Sequence, residues 1–448
     1  VPKRGIFAAV AVAMLAFAGP AAANVLVVTD SGDTGLNGQL RQVVTSANDG
    51  DEITFDAEVT EITLQDGEIP VTAPNLMIRG PNTGDDPPAV RISGNGDGRI
   101  FNVAASADNF RLQHLELANG VAPLGADATA VQAAGNGGDG GAIRTAARMT
   151  VEDSVFQGNL SGLGGNTTHS AFPAAGHGGS GGAIFAGQVA VTVERTTFSD
   201  NCAGDGGSAS IAPEGESAYG GDAGNGGAIA VVDGELTVDE SVFLQNRTCG
   251  GGEGEHATRE AIGGSGGLGG AIYADGILDL EDSEFRLNST GSGGGALCNA
   301  QDSCQAYGGA GGHGGAVWAL VANVRNATFT ENSTGDGGTG DGNGTGEFVT
   351  NGGDGGSGGA LYAREITVEL STMSGNATGS GGGAGADNTS TMVGGDGGDG
   401  GAIAGASLTV GSVATSTLAG NGTGDGGLAG GPGTATGGDG GDGGAVGT

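Results

Sequence analysis

Positive charge is the scarcest feature of this chain. Of 448 residues, 15 are Lys or Arg and 51 are Asp or Glu, a formal net charge of −36. Proteins that hold nucleic acid do so by neutralising phosphates with Lys and Arg, so no nucleic-acid partner is expected. An anionic membrane surface is disfavoured for the same reason. Long apolar runs are also lacking. The one candidate, residues 6–18, is too short and wrongly flanked for a membrane span. It follows Lys3 and Arg4 and precedes the small residues Ala21, Ala22 and Ala23, which is the layout of a secretory signal. Residues 1–23 are therefore read as a signal peptide, with the mature chain beginning at Asn24 and no transmembrane segment after cleavage. Cysteine is nearly absent too. Cys202, Cys249, Cys298 and Cys304 lack the spacing of a zinc site and suit an oxidising, exported setting. Cys298 and Cys304 could close a small loop, and Cys202 and Cys249 could link neighbouring repeats.

Glycine is abundant, with 102 residues, and it is periodic. The tetrapeptide Gly-Gly-Ala-(Ile/Leu/Val) begins at Gly140, Gly181, Gly226, Gly269, Gly314, Gly358, Gly400 and Gly443, a repeat of about 43 residues. Beyond each complete copy lies a second constant element. Its apolar ring position and its Asn are Phe156 and Asn159, Phe198 and Asn201, Phe243 and Asn246, Phe285 and Asn288, and Phe329 and Asn332. Met373 with Asn376 and Leu418 with Asn421 complete the series. Apolar side chains alternate with polar ones, shift phase, and alternate again, as short strands joined by tight bends do. Each repeat therefore reads as one coil of a parallel β-helix, a solenoid whose layers stack about 4.8 Å apart. The class is all-β. Stacking makes the Phe positions an apolar column and the Asn positions a ladder of amides. Asn also tolerates the left-handed backbone of a sharp bend. Most of these Asn begin an Asn-x-Ser/Thr triplet, which matches a glycosylation acceptor. A structural column produces the same recurrence.

Between each Asn and the next tetrapeptide run Gly-rich inserts. Their return legs of Gly-Gly-x triplets are expected to be ordered by backbone hydrogen bonds, and their variable tips mobile. Residues 24–119 differ, with less glycine and strands expected at 24–29, 52–55, 61–64, 75–78 and 89–92. Residues 36–48 form the one amphipathic helical stretch, with Leu40, Val43, Val44 and Ala47 on one side. This helix is the natural cap for the apolar end of the stack, so 24–119 is read as the cap and first coils and 120–448 as the repeat region. The sequence ends inside an eighth repeat, and a truncated C-terminus is expected.

The joint recurrence of Gly-Gly-Ala-Ile and Phe-x-x-Asn over residues 140–446 resembles the passenger domains of polymorphic outer-membrane proteins, which are autotransporters. Phe156 to Asn159, Phe198 to Asn201 and Phe285 to Asn288 match directly, whereas Met373 and Leu418 depart from Phe. The resemblance implies a right-handed parallel β-helix displayed outside the cell, outer membrane-associated and often adhesive.

Chemistry is harder to find. Glu152, Glu194, Asp239 and Glu281 each follow an inward Val or Leu and so face outward as a column, read as a solvated face. His114, His169, His177, His256 and His313 share no spacing with a Ser or Cys nucleophile. Gly394 to Asp399 and Gly437 to Asp442 match the opening of a calcium-binding nonapeptide and make Asp396, Asp399, Asp439 and Asp442 the candidate metal ligands. The apolar position of that motif is glycine here. The resulting expectation is an exported β-helix scaffold without catalysis, serving adhesion or exterior structure, whose partners are surface proteins or glycans of a host or neighbouring cell. The alternatives are a polysaccharide lyase or hydrolase built on a β-helix, and a calcium-stabilised glycine-rich repeat protein.

Overall fold

A computed structural model describes residues 23–447 apart from 83–87, 170, 212–216, 302, 389, 406–408 and 415. The expected signal peptide falls, but for Ala23, outside the described residues. The chain folds as a right-handed parallel β-helix. Every pairing between named strands is parallel, and each strand meets its counterpart from the next coil. Among the described residues the strands form one long sheet of 17 strands, a second of ten, and two shorter ones of six. The long and second sheets enclose the main core, and the two shorter sheets flank it.

One coil shows how sequence becomes layer. Strand Ile229–Asp239 lies in the long sheet, pointing Ile229, Val231, Leu236 and Val238 inward. The chain turns at Glu240, crosses the second sheet as Val242–Leu244, and turns again at Gln245. Both turns place a non-glycine residue in the left-handed region, with φ of 45° and 55°. The same two positions are left-handed in other coils, as Asp153 and Gly158, Arg195 and Asp200, and Asp282 and Leu287. The left-handed residue is therefore the one before Asn, not Asn itself. Asn is needed for its side chain instead.

Phe156, Phe198, Phe243, Phe285 and Phe329 stack through the core with ring centroids 4.6–4.9 Å apart and interplanar angles of 1–10°. Met373 continues the column in strand register with Phe329. The Asn residues form a continuous buried ladder. Asn159 donates from its backbone and from Nδ2 to Asn201 Oδ1 at 3.0 and 2.9 Å, and Nδ2 also donates to Leu117 O. The pattern repeats through Asn246, Asn288, Asn332 and Asn376 to Asn421. From Asn159 to Asn376 these amides are buried, with Nδ2 committed to the ladder. The Thr two residues later serves a separate purpose. Thr248 Oγ1 donates to Gly267 O at 2.8 Å and accepts from Gly291 N at 3.0 Å, tying the outgoing leg to the return leg and to the next coil.

The repeated Gly-Gly pair has two separate causes. The first glycine is left-handed in every copy, with φ of 61–71°. The second sits against backbone: a Cβ on Gly227 would stand 2.1 Å from Gly270 O. In the inserts, outgoing and returning legs bond alternately up the stack, as in Gly252 N to Gly221 O, Gly264 N to Gly252 O and Gly294 N to Gly264 O, each 2.8 Å. The described parts of the tips are regular and not structureless. They form the two short sheets and enclose a second, smaller core that includes Ile211, Ala261, Ala306 and Phe348. Ladder pairing with the neighbouring tip supplies the order that their small apolar area alone could not. At the N-terminal end, helix Leu40–Ser46 buries Leu40, Val43 and Val44. It packs beside strands Val25–Val28 and Ile69–Val71, covering the first coils.

Candidate functional site

The outward face of the long sheet carries two polar columns. Thr192, Thr237, Asp279, Asn323 and Thr367 are in register along one. Glu194, Asp239, Glu281, Arg325 and Glu369 are in register along the other. Strict alternation produces this arrangement: Val238, Leu280 and Val324 point into the core, so their neighbours must point out. Between the columns runs an open groove of about 460 Å³ that crosses at least four coils.

Inside the groove, Arg325 Nη1 pairs with Glu281 Oε1 at 2.7 Å, and Asn323 Nδ2 donates to Asp279 Oδ1 at 2.8 Å. Asp239 differs from both. Its Oδ1 is buried and has no hydrogen-bond partner. A buried carboxylate oxygen without a donor is costly, and a donor hydroxyl would satisfy it. Asp239 and Glu281 are register partners in neighbouring layers of the sheet. Towards the N-terminal end, Arg195 holds Asp153 at 2.7 Å and Glu194 at 3.1 Å. The hydrogen bond from Arg195 keeps the Asp153 carboxyl below the usual carboxylate range, against the effect of burial.

A second outward column lies at the start of the same strands. Tyr273 and Trp318 stack at 4.8 Å, Trp318 and Tyr362 at 6.5 Å, and His313 and Tyr362 at 4.9 Å. These rings cover one another's faces. Burial pushes the Tyr273 phenol up to about 12 and the His313 imidazole down.

The four candidate calcium ligands lie on the insert edge, away from the groove. Asp396 Oδ1 accepts from Asp439 N at 2.8 Å, and Asp399 Oδ1 from Asp442 N at 2.7 Å. They continue a ladder in which Asn136, Asp222, Asp354 and Asp336 accept from the next coil's backbone in the same way. A polar third residue in the triplets therefore satisfies the N–H groups of the next layer. Among the described residues no group of three or more His, Cys, Asp or Glu is arranged to hold a metal ion. Cys298 and Cys304 form a disulfide. Sequence reasoning missed Thr237, Asp279 and Asn323 as groove residues. It also missed Arg325, whose position in the Glu152 column follows from the repeat spacing.

No protein-family model matches the chain, and no curated protein is similar to it. Three solved structures are similar at low identity. A structure of ORF18 of Geobacillus virus E2 has 10% identity and a TM-score of 0.26, over 90% of this chain and 61% of that one. The chain thus spans less than two thirds of the virus protein. A PL6 alginate lyase in complex with a trisaccharide has 10% identity and a TM-score of 0.28, over 89% of this chain and 85% of that one. A mutant of the periplasmic alginate epimerase AlgG has 8% identity and a TM-score of 0.16, over 81% and 83%. Two of these three are named as enzymes, and the expectation of a chain without catalysis is withdrawn. Of the outward carboxylate column, Glu194, Asp239 and Glu281 line the open groove, and Glu152 lies outside it.

Proposed function

We propose that this chain is an exported β-helix that acts on a polysaccharide, as a hydrolase or lyase, in the groove of the long sheet. The observation that carries this reading is the unpartnered Asp239 oxygen, one layer from a Glu281 held by Arg325. A groove that repeats its lining at each coil suits a linear polymer of repeating units. Asp239 is assigned the proton transfer to or from the glycosidic region, and Glu281 the second carboxylate, with Arg325 fixing its orientation. Electrostatics narrows the substrate. The groove has one Arg among several carboxylates and the chain carries a net charge of −36, so a glycan with few or no acidic groups enters most easily, and of the two reactions hydrolysis is the one such a glycan allows, since elimination needs a uronate. The signal-like N-terminus and the Cys298–Cys304 disulfide support export to an oxidising compartment.

Incubation with neutral polysaccharides and with alginate, followed by assay of reducing ends and unsaturated products, tests the reading. Reducing ends from a neutral glycan support hydrolysis, and unsaturated ends from alginate shift the substrate to uronates. No product from any member of the panel overturns the proposal. Adhesion is a second reading, favoured by the ordered tip sheets with their own core, and it would operate through the tips instead of the groove.

A further inference from the structure

Outside the ladder, four triplets have the form Asn-x-Ser/Thr, beginning at Asn166, Asn326, Asn343 and Asn388. At three of them the side-chain amide is already engaged. Asn166 Oδ1 accepts from Ser208 N at 2.8 Å, Asn326 Nδ2 donates to Asp282 Oδ1, and Asn388 Nδ2 donates to Thr345 O at 2.8 Å. Asn343 differs. Its side chain is exposed and makes no hydrogen bond among the described residues. It stands in strand Gly340–Gly344 of a tip sheet, where Gly340 and Gly342 are buried and Asp341 and Asn343 point outward. Thr345, the hydroxyl residue of the triplet, is exposed as well. Gly344 between them has φ of 132° and carries no side chain to crowd the amide.

Ladder pairing also thins at this point. On one side Asn343 is in register with Asn299, but on the other the register ends at Gly342 with Ala386. The chain then bends through 345–347 before strand Phe348–Asn351 begins. No apolar side chain lies at 342–347, so drawing the triplet away from the sheet takes none out of the core.

We infer that Asn343 is an acceptor site for an N-linked glycan in the folded chain. The donor is of the class of oligosaccharides carried on a polyprenyl pyrophosphate, transferred by an enzyme of the export compartment. Asn343 Nδ2 forms a bond to the anomeric carbon of the sugar. The bond from that carbon to the pyrophosphate oxygen breaks, polyprenyl pyrophosphate leaves with the electron pair, and Nδ2 gives up one proton. Nothing is oxidised or reduced. The ladder triplets offer no equivalent acceptor once folded, since each Nδ2 already donates to a neighbour in the stack.

The experiment incubates the folded full chain with a polyprenyl-pyrophosphate-linked oligosaccharide and an oligosaccharyltransferase preparation that glycosylates the free 339–348 peptide. Glycopeptides are then mapped by mass spectrometry. The expected result is a glycan on Asn343 and unmodified ladder asparagines. Thr345→Ser should keep the glycan, and Asn343→Gln and Thr345→Ala should lose it. An unmodified Asn343 in the wild-type chain, whatever is found elsewhere, overturns the inference. The wild-type map decides the matter even if a variant does not fold.

Discussion

Asn201 donates both its backbone N–H and its Nδ2 to a single oxygen, Oδ1 of Asn246, at 3.2 and 2.9 Å. All these groups are buried, so no water stands ready to replace the acceptor. Asn246→Ala removes that oxygen and also the Nδ2 donor to Phe198 O. Two donors and part of a carbonyl's bonding are then lost in the interior, at about 1–3 kcal/mol for each unsatisfied group. Urea unfolding should show a loss of about 3 kcal/mol or more. Asn421→Ala, at the more exposed last rung, should cost clearly less.

Glycines within one coil should differ sharply. A Cβ on Gly227 would stand 2.1 Å from Gly270 O and 2.4 Å from Arg247 O, whereas one on Gly250 would meet nothing closer than 3.4 Å. Gly227→Ala is expected to destabilise by about 3 kcal/mol or more, since only backbone could move aside. Gly250→Ala should stay within about 0.5 kcal/mol of wild type. Thermal or denaturant melts of the two variants check this.

This contrast shows what the sequence made legible. The period, the Phe column and the Asn ladder could be located because one residue type recurs at each position. The left-handed bends could not, because Asp200, Gln245, Leu287 and Glu331 share no chemistry and adopt that geometry under the constraint of ladders on both sides. The tip strands were hidden by their composition: Gly340–Gly344 pairs with its neighbours through backbone alone and has no apolar alternation to reveal it. The groove was half legible. The Glu152 column showed which side chains face outward, but the orphaned oxygen of Asp239 depends on packing that no spacing encodes.

Acid should act on the N-terminal cap first. The Asp33 carboxyl lies below its ordinary pKa: burial opposes this, but hydrogen bonds from Arg41 and from the N–H groups of Gln65 and Asp66 outweigh it. Asp51 is likewise lowered against burial, by N–H groups of Asn24 and Asn48. A carboxyl depressed on folding contributes stability that is complete above its unfolded value, about pH 4, and is lost as pH falls through the lower folded value. Melting temperature should therefore fall as pH drops below about 4, and Asp33→Asn should be less stable at about pH 7 with a flatter pH profile. An identical profile in wild type and Asp33→Asn would remove Asp33 from this account.

The insert-edge carboxylates should serve the backbone without needing a metal. Asp396 Oδ1 already accepts from Asp439 N, and an amide oxygen can do the same. Asp396→Asn is expected to leave melting unchanged, and Asp396→Ala to cost about 0.5–1.5 kcal/mol. Chelation of calcium should not lower the melting temperature. A drop of several degrees on adding chelator, reversed by calcium, would return these residues to a metal site.

The rate of chain scission on a neutral polysaccharide, measured side by side for wild type and Asp239→Asn, tests the central claim most directly. The account predicts scission by wild type, a loss of about 10²-fold or more in the variant, and equal melting temperatures for the two. Equal rates for both proteins, or no scission by wild type, would contradict the assignment of the groove.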